Sequence, residues 1–317
     1  MGYLGALSGI IRDNYRVSPG LYALGRPDRN SPVLVSCNYK LTLDVLRREM
    51  KKRSCWILVV ETFGINVWCA AGKKSFSTRE VARRVRQSGL DKVVDHRILI
   101  IPQLAAPSVA AHELRGLCGF KGVFGPIRAK DLPGFIDNEM KADPGMREVK
   151  FPFSERMKVA MVEVFSARKF MAWTMLICFL LAAAGPGGLS LQGTAMSALG
   201  AFAVVLTGFL TGTFLVPAIL PLLKARAFAA KGLLAGFPVG VVTALVLARS
   251  LPEGLAAVAG AAAMSSWFAM HYTGSTPFTS LSGVDREMRL YIPVQGLLMT
   301  LAILAWLGGA WFELIKG

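Results

Sequence analysis

From Phe170 to Leu223 the chain carries no Asp, Glu, Lys, Arg, His or Tyr, and Cys178 is the one side chain there with a titratable proton. A membrane crossing takes roughly 20 apolar residues, so this run holds two crossings, and a wholly soluble protein is excluded. Charge is unevenly divided along the 317 residues. Residues 1–168 hold 28 Lys and Arg against 16 Asp and Glu, whereas residues 169–317 hold 8 against 4. The sequence therefore divides into a basic, water-compatible domain (1–168) and a transmembrane domain (169–317). Five cysteines without pattern do not make a disulfide framework.

Hydropathy and turn residues predict about five spans, near 170–189, 195–222, 228–248, 254–274 and 291–312, with the first turn at Gly185-Pro186-Gly187-Gly188. Lys224, Arg226, Lys231, Arg286 and Arg289 then lie on the side of the first domain, and only Arg249 and Lys316 lie opposite. That asymmetry predicts a multi-pass protein of the cytoplasmic (inner) membrane with its amino-terminal domain in the cytoplasm. The stretch from Met1 to Ile11 has no basic residues ahead of its apolar run, so no cleaved signal peptide is expected. Gly232, Gly236 and Gly240 recur every fourth residue, a pattern that lets helix backbones approach closely. No charged residue stands at the middle of a predicted span, which argues against a pump or an ion-coupled transporter. Cys178 and His271 read as packing residues.

In the first domain, apolar runs alternate with amphipathic segments. Strands are predicted at 32–39, 55–62, 97–102 and 122–127, and helices at 41–52, 78–88, 109–117 and 131–140, with a further helix over 154–169 leading into the membrane. Near-continuous Val/Ile/Leu strands separated by helices imply a parallel sheet covered on both faces, a Rossmann-like α/β domain with its ligands at the carboxyl ends of the strands. The loop after the second strand reads Phe63-Gly64-Ile65-Asn66-Val67-Trp68-Cys69-Ala70-Ala71-Gly72-Lys73-Lys74. It is not a phosphate loop, because Val67 and Lys74 stand where Gly and Ser or Thr are required. Gly116, Gly119 and Gly122 do not make a dinucleotide fingerprint either.

Asn66 is a good amino-terminal helix cap and places Val67, Trp68 and Cys69 in a first helical turn, where backbone N–H groups and the helix dipole favour a thiolate at Cys69, with Lys73 one turn on. A nucleophilic thiolate wants a nearby base, and no motif around His96 or His112 supplies one. A zinc ligand wants companions, yet CxxC and paired histidines are absent. A lone thiolate beside Ala70, Ala71 and Gly72 suits a flat ring whose metal takes one axial ligand from the protein.

The eight residues Asn66 to Lys73, NVWCAAGK, resemble the cap-helix motif of the mercury-methylating corrinoid proteins, membrane-bound relatives of the corrinoid iron–sulfur protein of acetyl-CoA synthesis. The order of a corrinoid-binding domain followed by an all-α membrane domain matches that family along the whole chain. The resemblance implies a cobalt corrinoid of the cobalamin type, bound histidine-off with Cys69 as lower axial ligand. It further implies contacts from Asn66, Val67, Trp68, Ala70, Ala71, Gly72 and Lys73, with Trp68, Ala70 and Ala71 packed on the ring. Loops at 104–107 and 125–126 are further candidate contacts. The DxHxxG signature of histidine-on corrinoid proteins is absent, since Asp95 and His96 are adjacent. The activity implied is methyl transfer from a methyltetrahydrofolate-dependent donor, through the corrinoid, to Hg(II), forming methylmercury. The chain lacks a cysteine cluster for an iron–sulfur centre, so the resemblance also implies a small ferredoxin as electron donor. The basic residues at 47–53 and 79–86 then suit anionic membrane lipid or that acidic partner rather than nucleic acid. Two other functions stay open: a membrane-anchored corrinoid methyl carrier in one-carbon metabolism with another acceptor, and a membrane receptor or transporter with a regulatory α/β domain.

Overall fold

A computed structural model describes residues 15–185, 190–273, 276 and 281–316, with the side chains at 281, 282, 310 and 312–316 left undescribed. The run Met1–Ile11, the turn residues 186–188 and much of the loop expected after residue 274 lie outside the described residues. Two compact units form, Met1–Lys150 and Phe151–Gly317. A boundary after residue 168 falls inside a helix that runs unbroken from Phe153 to Ala184.

The first unit is built on a five-stranded sheet. Its strands are β1 (Gly20–Leu24), β2 (Val33–Cys37), β3 (Cys55–Val60), β4 (Ile98–Ile101) and β5 (Lys121–Phe124), in the order β1-β3-β2-β4-β5. The last four are parallel, as their apolar runs predict. The sheet is nevertheless mixed, because β1 pairs with β3 in antiparallel register, Tyr22 opposite Ile57. β1 escapes a search for apolar runs because it is an edge strand, only half buried. Its helices are α1 (Lys40–Glu49), α2 (Val67–Gly72), α3 (Thr78–Gln87), α4 (Leu90–Val93), α5 (Leu114–Cys118) and α6 (Leu132–Asp137).

Alternate strand residues serve opposite faces. Leu34, Ile57, Val59 and Ile100 pack with Leu43 and Leu46 of α1 and Phe135 of α6, while Val33, Val35, Leu58, Val60, Leu99 and Ile101 pack with residues of α2 through α5. The helix predicted over 109–117 shrinks to Leu114–Cys118. Upstream, Thr78 Oγ1 accepts the Ala110 N–H at 2.9 Å and the Ser108 hydroxyl donates to the Phe76 carbonyl, so the backbone there is pinned to the start of α3 instead of coiling. The strand order reverses direction between β2 and β4, and a crevice at the carboxyl ends of parallel strands forms at such a point.

The second unit holds α7 (Phe153–Ala184), α8 (Leu191–Leu210), α9 (Phe228–Leu247), α10 (Leu251–Thr273) and α11 (Leu281–Lys316). A π-helical turn, Thr211–Leu215, and a short turn, Val216–Ala218, extend α8. Among the described residues four helices are long and apolar enough to cross a membrane: Phe153–Ala184, Leu191–Ala218, Phe228–Leu247 and Gly283–Gly309. The span expected at 254–274 corresponds to α10, whose Ala-, Gly- and Ser-rich sequence is lined with buried residues and packs against α8, α9 and α11. Residues 281–289, expected in a loop, are helical.

The glycine spacing has a direct structural counterpart. A Cβ at Gly232 would lie 2.5 Å from both the Ser265 carbonyl oxygen and the Ser266 Cα, one at Gly236 2.9 Å from the Ala262 Cα, and one at Gly240 2.8 Å from the Val258 Cα. Gly208 and Gly212 meet the same helix at Ala261 and Ser265. The α10 backbone is thus flanked by glycines from two neighbours, and Ser265 uses the proximity to donate a 2.7 Å hydrogen bond to the Gly232 carbonyl. The first turn of α9 lacks a side-chain cap of its own, and Glu287 of α11 supplies one by accepting the Ala229 N–H at 2.6 Å. Gly236→Val therefore forces α9 off α10, and the expected loss is at least ~2 kcal/mol. Gly296→Ala, where nothing lies within 4 Å of a new Cβ, is expected to be neutral. Thermal unfolding of the two purified variants compares them directly.

Candidate functional site

The loop between β3 and α2 leaves the carboxyl edge of the sheet beside the reversal point. Its anchor is Asn38, the residue after β2, which is 1% exposed. The Asn38 Oδ1 accepts from the Gly64 N–H at 2.9 Å, the Thr62 hydroxyl at 2.7 Å and the Thr62 N–H at 3.2 Å, while its Nδ2 donates to Glu61 Oε1 at 2.7 Å. Glu61 Oε1 in turn accepts the Phe63 N–H at 2.7 Å, and Glu80 Oε1 of α3 accepts the Glu61 N–H at 3.1 Å. Held this way, Phe63 and Gly64 both adopt positive φ, +58° and +76°. For a phenylalanine that backbone costs roughly 1–2 kcal/mol, and its ring is 71% exposed.

The turn delivers the chain to Asn66, whose side chain accepts the Cys69 N–H at 2.9 Å and starts α2 as its cap. Helical phase then sorts the motif. Val67, Ala70 and Ala71, at i, i+3 and i+4, are buried, Ala70 at 0% exposure within the core under the sheet. Trp68, Cys69 and Gly72 form the other, half-buried side of the helix, and Lys73 is exposed at its end. Ala70 and Ala71, expected to pack on a flat ring, are therefore turned inward, because they share the stripe of Val67. The small outward residue beside the cysteine is Gly72. The turn at Gln103–Ala105, after β4, packs against α2, and Gly125 follows β5 at the same edge of the sheet.

His96 lies at the opposite edge of the sheet. His96 precedes the amino end of β4, where its Nε2 lies 2.9 Å from the Ser31 carbonyl and its Nδ1 accepts the Ile98 N–H at 3.3 Å. The His112 side chain is 84% exposed, 3.9 Å from Glu113. Among the described residues no three of His, Cys, Asp and Glu gather to hold a metal ion. The donor set at α2 is thus one sulfur on an accessible helix face, which fits a metal that arrives already held in a ring. The other cysteines of this unit differ in kind. Burial pushes the Cys55 thiol up to about 11 and raises those of Cys37 and Cys118.

Residues 11–135 match the CO dehydrogenase/acetyl-CoA synthase delta subunit family. This chain is 32% identical over 130 residues to the acetyl-CoA decarbonylase/synthase complex subunit gamma of Methanopyrus kandleri, a stretch that covers 40% of this chain and 28% of that one. A gamma 2 subunit of Methanosarcina thermophila is 34% identical over 125 residues, 38% of this chain and 26% of its own. The subunit gamma of Methanocaldococcus jannaschii is 31% identical over 124 residues, 38% and 25%. The chain spans about a quarter of the length of these relatives.

Asn38, Glu61 and Glu80 are absent from any motif reading, although an Asn directly after a buried strand and two residues before a helix is a signal for such an anchor. Asn38→Leu leaves several buried donors without an acceptor and is expected to destabilise the α/β unit by ~3 kcal/mol or more, against ~1 kcal/mol for Asn66→Ala, which removes only a cap. Denaturant titration followed by tryptophan fluorescence measures both. In the native protein at pH 8, iodoacetamide is expected to label Cys69 well before Cys37 or Cys55, which peptide mapping by mass spectrometry reads.

Proposed function

We propose that the chain is a membrane-bound corrinoid protein that transfers a methyl group to Hg(II), forming methylmercury, with Cys69 as the lower axial ligand of cobalt. The observation that carries this reading is Cys69 on the half-buried outward side of α2, at the carboxyl edge of a doubly covered sheet, with His96 at the opposite edge. The match of residues 11–135 to subunits of acetyl-CoA synthesis supports one-carbon chemistry, and the NVWCAAGK motif supports the mercury acceptor.

A bound corrinoid supplies the methyl group together with the electron pair that leaves with it. The protein's own part is positional and electronic. Asn66 holds the first turn of α2 through its 2.9 Å bond to the Cys69 N–H and so fixes where the sulfur points. At the metal of such a ring the Cys69 sulfur would be the protein's ligand and would supply electron density that favours transfer of the methyl group to an electrophile. Gly72 leaves room for a ring to lie flat on the helix, Trp68 offers it an aromatic edge, and Lys73 offers positive charge at the rim. With the other cysteines of the unit buried or dispersed, electrons come from a separate small iron–sulfur protein of the ferredoxin type. The methyl group comes from a methyltetrahydrofolate-dependent donor. The second unit anchors the protein in the cytoplasmic membrane, and the exposed Lys and Arg residues face anionic lipid or the acidic electron donor rather than nucleic acid.

The likeness to acetyl-CoA decarbonylase/synthase subunits favours one other reading, a methyl carrier for a different acceptor. Incubating the full-length, corrinoid-loaded, methylated protein with Hg(II) separates the two: methylmercury is expected from the wild type and none from Cys69→Ala. The visible spectrum of Cys69→Ala should also change with the loss of sulfur coordination. A nitrogen-ligated spectrum in the wild type, or full methylmercury formation by Cys69→Ala, sinks the axial-ligand assignment.

A further inference from the structure

Within the second unit a cavity of about 520 Å³ runs alongside α7, α8, α10 and α11. Gly309 of α11 lies against Ser250 and Pro252, where α9 hands the chain to α10. Arg249, Glu253 and Trp306 therefore mark one end of the cavity, and Phe170, Trp267 and Ile292 the other. Between the ends the wall is almost wholly apolar. Ile177, Met196 and Ile292 line it and are themselves exposed, so it is a groove open along its side. At 1.5 Å per residue, the α10 row from Glu253 to Trp267 and the α11 row from Ile292 to Trp306 each run about 21 Å. The hydrocarbon core of a bilayer, ~30 Å across, is two acyl chains deep, so a groove of this length takes one chain of one leaflet. The charged end bears on what that chain is attached to. Arg249 is exposed and Glu253 half-buried. Glu253 Oε2 accepts the Arg249 backbone N–H at 2.8 Å, which brings the two residues together, yet among the described residues neither side chain enters an ion pair. An apolar groove thus ends beside one positive and one negative charge that are adjacent and unpaired.

We propose that this groove binds one acyl chain of a zwitterionic phospholipid bearing a primary amine, with the lipid phosphate paired to Arg249 and the ammonium to Glu253. The two charges select the class. An anionic phospholipid pairs with Arg249 but leaves Glu253 facing a second negative charge, and an uncharged diacylglycerol leaves both side chains unpaired. Arg is also the side chain best shaped to hold a phosphate, through parallel N–H donors. The indole of Trp306 at the same end has the position of an aromatic anchor at the level of lipid headgroups. The inference rests on the second unit lying in a membrane and is independent of the corrinoid.

The test uses the full-length protein in detergent micelles, with three lipids that carry the same dibromostearoyl chains as quenchers of Trp267 and Trp306 emission: a phosphatidylethanolamine, a phosphatidylglycerol and a diacylglycerol. Trp267→Phe and Trp306→Phe identify the quenched signal. In the wild type the phosphatidylethanolamine is expected to bind about tenfold more tightly than the diacylglycerol, the value of a hydrogen bond to a charged group. It is expected to bind about fivefold more tightly than the phosphatidylglycerol, the value of an exposed ion pair. Arg249→Gln should lower the first preference, and Glu253→Gln, which can still accept the Arg249 N–H, should remove the second. Gly200 lines the groove with nothing within 4 Å of where a Cβ would stand, so Gly200→Leu should weaken all three lipids. Equal affinities for the wild type, the result expected if the groove holds bulk lipid alone, overturn the proposal. So do tighter binding of the phosphatidylglycerol, quenching by none of the three, or both preferences unchanged in folded Arg249→Gln and Glu253→Gln. The wild-type comparison decides the matter even if a variant does not fold.

Discussion

The α/β unit depends on one buried amide. Asn38 stands where β2 ends and β3 must hand the chain to α2, and its oxygen collects three donors from Thr62 and Gly64. Those groups leave the sheet ladder and enter a buried turn, where each would otherwise lose its hydration without return. Meeting them at one oxygen lets the loop turn sharply enough to put Phe63 and Gly64 at positive φ. The start of α2 is therefore determined from the sheet outward. Glu61 and Glu80 close the remaining donors and tie the same loop to α3, so the cap helix is braced from three elements while its outer side stays open.

The second unit, with its four membrane-length helices among the described residues, uses the opposite means. Hydrophobic burial discriminates poorly between helices in lipid, so close backbone approach has to supply specificity. The glycines of α8 and α9 bring their helices against α10 near enough that a methyl group at Gly212 or Gly232 would meet backbone. Polar groups are then spent on the ends and seams: Glu287 caps α9, Ser265 bonds to the Gly232 carbonyl and Gln295 to Ser266. A helix as poor in large apolar side chains as α10 is suited to this central position, because small residues pay little entropy and admit neighbours on several sides.

Much of this was legible in the residues. β2 to β5 announce themselves as apolar runs, and Asn66 as a cap follows from its type and place. β1 gave no such run, since an edge strand with one face near solvent needs only scattered apolar residues. The Asn38 anchor joins residues 24 to 26 positions apart, and no local pattern reports a contact at that range. The inward turn of Ala70 and Ala71 is a different sort of miss. Their spacing from Val67 already marked a single stripe, but small side chain size drew attention to what a ring could approach instead of to helical phase. The small residue on the outward side is Gly72.

The contrast among the cysteines explains why Cys69 in particular suits ligation. Cys37 and Cys55 lie within strands at the centre of the sheet, where burial holds their thiols protonated and no ring can reach them. A fully exposed cysteine would be reachable but free to rotate, and a metal bond would then have to order the side chain and its backbone together. Cys69 lies between these limits. Its N–H is fixed by Asn66, its helix is anchored through Val67 and Ala70 in the core, and its sulfur remains on the open side. The fold thus restrains the Cys69 backbone while leaving the residue partly exposed, the combination that lowers the ordering cost of any ligand bond it makes.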